Sequence, residues 1–294
     1  MQVCFRLLSL LACLLLLGST GCFRRWSMSE GEIRAHYAGR PTRPTFYTIE
    51  NDSMRLHVAS IGSDTLPPLL LIHGAPGAWY GYLQYCDDSL LQQRYHILAV
   101  DRPGYGKSRK GRRPVTSISQ QAQFIAEALK LNRSGQPAVV LGRSFGAPIA
   151  ARLAMLAPQR VHHLFMLAPP LDPEKEKFWW FSRWGRLGIV RLFLPRSLNT
   201  ATDEKFSHIA ELRRLEPLWP QLQTPATVMQ GGQDWIVDPS NLDFAKRVLS
   251  GKPVEFIFLP KAGHLITNSH TSLVRELLLK TQPMSATLVA GSAQ

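Results

Sequence analysis

With 294 residues, 45% of them hydrophobic, the chain has enough apolar content to bury one substantial core, which excludes an intrinsically disordered protein. Its formal net charge of +13 favours anionic lipid head groups or other acidic surfaces. The charges are dispersed and no nucleic-acid-binding module is apparent, so nucleic acid is not an expected partner.

The N-terminus stands apart. Arg6 precedes a leucine-rich run over residues 7–17, followed by Gly18-Ser19-Thr20-Gly21-Cys22. That run is too short to span a bilayer and has the layout of a secretory signal. Small residues directly before Cys22 resemble the lipobox of bacterial lipoproteins, in which the leader is cut before a cysteine that is then acylated. Leucine is commonest where Ser19 stands, so ordinary cleavage after a small residue and an uncleaved apolar anchor both stay open. On the lipobox reading, residues 1–21 are a signal peptide and Cys22 is lipidated. Phe23 rather than Asp follows, which by resemblance to Gram-negative lipoproteins implies the outer membrane, facing the periplasm. Losing residues 1–21 removes Arg6 alone and takes the charge from +13 to +12. Residues 22–44 read as a basic tether with little apolar periodicity, carrying Arg24, Arg25, Arg34, Arg40 and Arg43 beside the anchor. Cys4 and Cys13 fall in the leader and Cys22 is consumed by lipid. Cys86 is left alone, so no disulfide is expected.

From residue 45 the pattern becomes that of a folded domain. Residues 46–50 and 54–61 alternate and are parted by Asn51-Asp52-Ser53, which predicts an antiparallel pair joined by a turn. An apolar run at 68–72 leads into His73-Gly74-Ala75-Pro76-Gly77, and another at 97–100 into Asp101-Arg102-Pro103-Gly104-Tyr105-Gly106-Lys107-Ser108. Ile118, Ala122, Ile125, Ala126 and Leu129 share a helical face that Ser117 or Ser119 can cap. The run 138–141 ends in Gly142-Arg143-Ser144-Phe145-Gly146, after which Phe145, Ile149, Leu153 and Leu156 recur at helical spacing. A further buried strand is predicted at 161–167. Between 171 and 220 the rhythm breaks, with Trp179, Trp180, Trp184 and Trp219 interspersed among arginines and lysines. It resumes with strands at 226–229 and 254–259, a helix near 242–249 and a last helix over 271–279, before a small-residue tail at 284–294. Strands alternating with helices imply a mostly parallel α/β sheet covered on both faces, with ligands gathered at the carboxyl ends of its strands.

At a sharp strand-to-helix turn of the G-x-S-x-G kind, a serine hydroxyl is pushed out at the end of the sheet and the glycines relieve crowding. Ser144 is therefore the candidate nucleophile. Together with His73 to Gly77, Asp101 to Ser108, Gly231-Gly232-Gln233-Asp234 and Ala262-Gly263-His264, this turn makes the chain resemble the α/β-hydrolase superfamily. The order Ser, Asp, His is that family's order. The resemblance implies an α/β-hydrolase fold: a core from residues 45–170 and 221–283, with a helical cap inserted at 171–220.

A serine hydroxyl is a poor nucleophile at neutral pH. An imidazole must take its proton, and a carboxylate must hold that imidazole in the right tautomer. His264 is the candidate base; His162 and His163 lie in a predicted strand, and His36, His57, His96, His208 and His270 lack a matching strand-end turn. Asp234 is the candidate acid, with Asp238 and Asp172 as alternatives. By resemblance, the backbone N–H groups of Ala75 and Phe145 stabilise the oxyanion. Asp101 and Arg102 read as structural, and no role is assigned to Arg143. No turn motif surrounds Cys86, which disfavours it as a rival nucleophile. No cofactor and no metal are implied.

The resemblance implies a serine hydrolase, and an ester is the first candidate substrate. His-Gly-x-Pro-Gly also occurs in proline iminopeptidases, which hold a free amine with cap carboxylates. Glu174, Glu176, Glu204, Glu211 and Glu216 are available, although Ala75 stands where those enzymes usually have glycine. Carbon-carbon bond hydrolysis uses the same triad. Dehalogenases and epoxide hydrolases place an aspartate where Ser144 stands. A non-catalytic envelope binding protein on this scaffold is the alternative outside enzymology; such proteins usually lose a triad residue, and none is missing. The cap aromatics either line the pocket mouth or, facing outward beside Arg183 and Arg186, lie at a membrane interface.

Overall fold

The computed structural model describes residues 28–283 except 53, 112, 113 and 179; the leader, Cys22 and the tail at 284–294 lie outside the described residues. In the stretch read as a tether, residues Glu30–His36 form a helix. The local signal for it is Ser29-x-x-Glu32. The Ser29 hydroxyl accepts the Glu32 amide at 3.2 Å, and the Glu32 carboxylate accepts the Ser29 amide at 2.7 Å, a reciprocal capping box.

Eight strands make one sheet: β1 Thr45–Glu50, β2 Arg55–Ile61, β3 Pro68–Ile72, β4 His96–Asp101, β5 Ala138–Arg143, β6 Val161–Leu167, β7 Ala226–Gly231 and β8 Val254–Leu259, in the order β1-β2-β4-β3-β5-β6-β7-β8. β1 pairs antiparallel with β2, and β2 with β4; the remaining pairings are parallel. Asn51 closes the first hairpin by accepting the Met54 amide on its side-chain oxygen at 2.8 Å. Strands β3 and β4 are buried throughout and β5 nearly so, which is why their sequences are apolar runs without alternation.

On one face Leu70, Ile72, Val140, Leu164 and Met166 pack with Ile125, Ala150 and Phe244 from helices Ile118–Ile125, Gly146–Leu156 and Asn241–Val248. The intervening Leu69, Leu71 and Leu141 point to the opposite face. There the sheet is covered by Leu83–Cys86, Ser89–Arg94 and Thr271–Lys280, bridged by Tyr95 donating to the Leu278 carbonyl at 2.5 Å. The first two of these helices were not evident from periodicity. They are too short to show it, and the Asp88 side chain, accepting the amides of Leu90 and Leu91, marks the start of the second.

Residues 171–220 leave the sheet between β6 and β7 and fold as 3-10 turns and two helices, Gly188–Phe193 and Arg196–Leu215. The long helix buries Thr200, Glu204, His208, Glu211, Leu212 and Leu215, a stripe at helical spacing that is half ionisable. Trp219 is buried, whereas Phe178 and Trp184 are exposed.

Candidate active site

Strand β5 gives way at Arg143 to Ser144, whose φ of 50° lies in the left-handed region that a side chain occupies only under constraint. The constraint is visible: the Ser144 amide donates to the Leu167 carbonyl at 2.8 Å, and its own carbonyl accepts the Ala147 amide at 2.8 Å. Glycine is needed on both sides. A Cβ on Gly142 would strike the Gly146 carbonyl, and one on Gly146 would strike the carbonyls of Ile72 and His73.

Register supplies the next component. Ile72 pairs with Gly142, so the loop after β3 emerges beside the Ser144 turn. A Cβ on Gly74 would lie 3.0 Å from Ser144 Cβ and 3.5 Å from its Oγ. Among the described residues, no protein carbonyl takes the amides of Ala75 or Phe145, which neighbour Gly74 and Ser144. His73 is buried with both ring nitrogens engaged: Nδ1 donates to the Gly74 carbonyl at 2.7 Å and Nε2 accepts the Arg102 amide at 2.9 Å. Burial, reinforced by the Arg102 charge, holds its pKa down to about 3, so this imidazole stays neutral and structural.

β7 and β8 assemble the acid and the imidazole. The Gly232 amide donates to the Leu259 carbonyl at 2.9 Å and the Gln233 amide to Ala262 at 2.9 Å, and a Cβ on Gly231 would strike the backbone of Ala262 and Gly263. With the two loops locked together, buried Asp234 accepts His264 Nδ1–H on Oδ2 at 2.7 Å. Its Oδ1 accepts the amides of Ile236 and Val237, both at 2.9 Å, which fixes the carboxylate plane. Asp238 pairs with Lys177 and Ser240, and Asp172 caps the turn at Glu174, so neither alternative acid meets His264. The Ser144 hydroxyl makes no hydrogen bond among the described residues; contacts of this kind often tighten only around substrate.

Three further residues hold the site together: Arg102 is structural, as its motif implies, while Arg143 and His208 carry no local signal for their parts. Arg143 donates to Thr267 Oγ1 at 2.9 Å and to Asn268 Oδ1 at 3.3 Å, pinning the segment just after His264. Arg102 donates to the carbonyls of His73 and Gly74 at 2.8 and 3.1 Å and meets Glu204 of the long cap helix, so it joins the loop beside Ser144 to the cap. His208, from the same helix, lies with its ring centroid 4.5 Å from that of Phe145 and holds Glu176 at 2.8 Å through Nδ1. Asp101 is structural, taking the amides of Trp79 and Lys107. Cys86 is buried, and burial pushes its thiol well above the usual range.

Residues 67–217 match the family model of the alpha/beta hydrolase fold. The chain belongs to the alpha/beta hydrolase family. This hydrolase is 34% identical over 190 residues to the pimeloyl-acyl-carrier-protein methyl ester esterase of Nitrosomonas europaea, a match covering 60% of the chain and 70% of that protein. It is 30% identical over 130 residues to bifunctional epoxide hydrolase 2 of Rattus norvegicus, covering 43% of the hydrolase but only 22% of the rat protein. A crystal structure of a membrane phospholipase A matches with a TM-score of 0.63 at 20% identity, over 95% of this chain and 99% of that one, a likeness of fold.

Proposed function

We propose that this hydrolase cleaves carboxylic esters through a Ser144-His264-Asp234 triad and an acyl-enzyme. The observation that carries the reading is the 2.7 Å contact between Asp234 and His264 Nδ1, formed after β7 and β8 at the same end of the sheet as a serine that follows β5 and is held at φ 50°. With Nδ1–H committed to Asp234, Nε2 is the nitrogen left to take the Ser144 proton as Oγ attacks the ester carbonyl. The amides of Ala75 and Phe145 receive the negative charge growing on the carbonyl oxygen. His264 then returns the proton to the departing alkoxide, and water repeats the sequence on the acyl-enzyme.

An ester is favoured over an amine-bearing peptide by the state of the cap carboxylates. Glu174 is bound to Arg213, Glu176 to Lys205 and His208, Glu204 to Arg102, and Glu211 to Arg214. A free amine would have to break one of these pairs or turn to Glu216, which is exposed to solvent and has no ion-pair partner among the described residues. The similarity to a methyl ester esterase points the same way, and Ser144 in place of an aspartate argues against epoxide opening. Cys22 acylation after loss of residues 1–21, with attachment to the outer membrane on its periplasmic side, completes the proposal and rests on the sequence alone.

A fluorophosphonate probe tests the mechanism. Covalent labelling of the wild-type protein and loss of the label in Ser144→Ala are expected; no labelling of correctly folded wild type overturns the triad. Chromogenic esters of graded chain length, assayed beside amino-acid anilides, identify the bond. Mass spectrometry of the mature N-terminus tests acylation of Cys22.

A further inference from the structure

Residues 177–202 of the cap carry Lys177, Arg183, Arg186, Arg191 and Arg196 and no acidic side chain. Within them the helix Gly188–Phe193 buries nothing: Ile189, Leu192 and Phe193 are 69%, 81% and 64% exposed, and Leu187 and Trp184 just before them are 53% and 57% exposed. Single exposed apolar side chains are ordinary, but a contiguous run of this size marks a contact surface.

Behind the apolar residues the same helix turns Arg191 inward, where it donates to both oxygens of Asp203 at 2.7 and 2.8 Å. Arg191 and Asp203 also line a cleft of about 120 Å³ between the cap and the loop after β4, together with Arg109, Lys110, Arg196 and Asn199. Such a volume suits a small ionic group rather than an acyl chain. Lys110 is neutralised by Glu50 at 2.8 Å, as Arg191 is by Asp203. Arg109 and Arg196 have no carboxylate partner among the described residues, so the cleft carries uncompensated positive charge.

We propose that this side of the cap docks on an anionic phospholipid surface. Ile189, Leu192 and Phe193 enter the boundary between head groups and acyl chains, and the cleft takes one lipid phosphate on Arg109 and Arg196. An apolar face bordered by arginines is the arrangement that holds a helix in the plane of a membrane interface, and charge complementarity selects an acidic bilayer rather than a second, equally basic copy of this chain. Neither the triad nor acylation of Cys22 enters this argument.

Trp184 provides the readout in the full chain, even with its N-terminus intact. The share of tryptophan emission that disappears in Trp184→Phe is measured with vesicles whose acyl chains carry bromine, made of phosphatidylcholine with or without phosphatidylglycerol. Bromine is expected to quench that share in phosphatidylglycerol vesicles, about tenfold less in Leu192→Asp, and about tenfold less in Arg109→Glu/Arg196→Glu. Circular dichroism verifies that each variant is folded. Equal quenching in wild type and Leu192→Asp overturns the docking face. Equal quenching in the double charge-reversal variant overturns the phosphate cleft. A sedimentation dimer that Leu192→Asp dissociates, with no quenching by vesicles, shows a contact between copies instead and overturns the proposal.

Discussion

Glu204, in the middle of the long cap helix, grips Arg102 with both carboxylate oxygens, at 2.6 and 3.0 Å, and both side chains are completely buried. Tyr105 and Gln121 donate to the same carboxylate, at 2.5 and 2.9 Å, so every polar atom of the pair is satisfied. A cap held only by apolar contacts could swing as a lid. Here the inner cap helix shares a buried charge pair with Arg102, which also holds the carbonyls of the loop beside Ser144, and separating the cap would strand that charge. Glu204→Ala is therefore expected to destabilise the fold by about 3–5 kcal/mol in urea titration, and Glu204→Gln by less.

Asp234→Asn should leave the fold intact while removing about four powers of ten from kcat on a chromogenic ester. Oδ1 is tied to the amides of Ile236 and Val237, so the asparagine oxygen must stay there and its NH2 group must face His264. Two donors cannot meet, and the imidazole is driven to the tautomer with its proton on Nε2. Retention of near-normal kcat would remove Asp234 from the relay.

Acid should weaken the fold through His73. The unfolded chain binds that proton near the ordinary value of 6.5, while the folded protein holds it off to about 3. The stability this residue contributes is fully present above about pH 6.5 and is lost as the pH falls towards about 3, because the unfolded state then binds more protons. His163, lowered to about 4 by burial and then by the neighbouring His162, acts in the same direction. Urea midpoints measured across this window should fall steadily; a flat profile would contradict a neutral, buried His73.

Cys86 should not react with a disulfide reagent such as Ellman's in the native protein and should react once in urea. Its thiol is buried and held in the protonated form, and only the thiolate attacks. Fast labelling under native conditions would put Cys86 back among the candidate nucleophiles.

The parts of the architecture that could be read from the chain are those with a repeating or punctuated local signal. β3 and β5 are apolar runs closed by glycine turns, and the strand-to-helix turn at Ser144 has its conformation written in Gly142 and Gly146. Asp234 and His264 were readable as residues at strand ends. Asp234 reads as the acid ahead of Asp238 from its place after β7, but the backbone bond joining Gln233 to Ala262, which brings its loop to His264, has no local pattern. Long-range polar pairs are opaque for the same reason: Arg102 reads as structural, but Glu204 is 102 positions away and nothing local names it as the partner. His208 follows no strand-end turn and so carries no local signal, although helix geometry brings it onto Phe145.

The strand order also tells an engineer where this molecule can be interrupted. Ser144 and the loop facing it leave from β3 and β5, in the middle of the sheet, while β1 and β8 form its margins. The turn before β8 is exposed at Gly251, where a Cβ would meet nothing within 4 Å, and it lies at the end of that strand away from His264. A fluorescent tag or affinity handle spliced in after Gly251 should leave turnover untouched, offering a route to immobilising the protein without using either terminus.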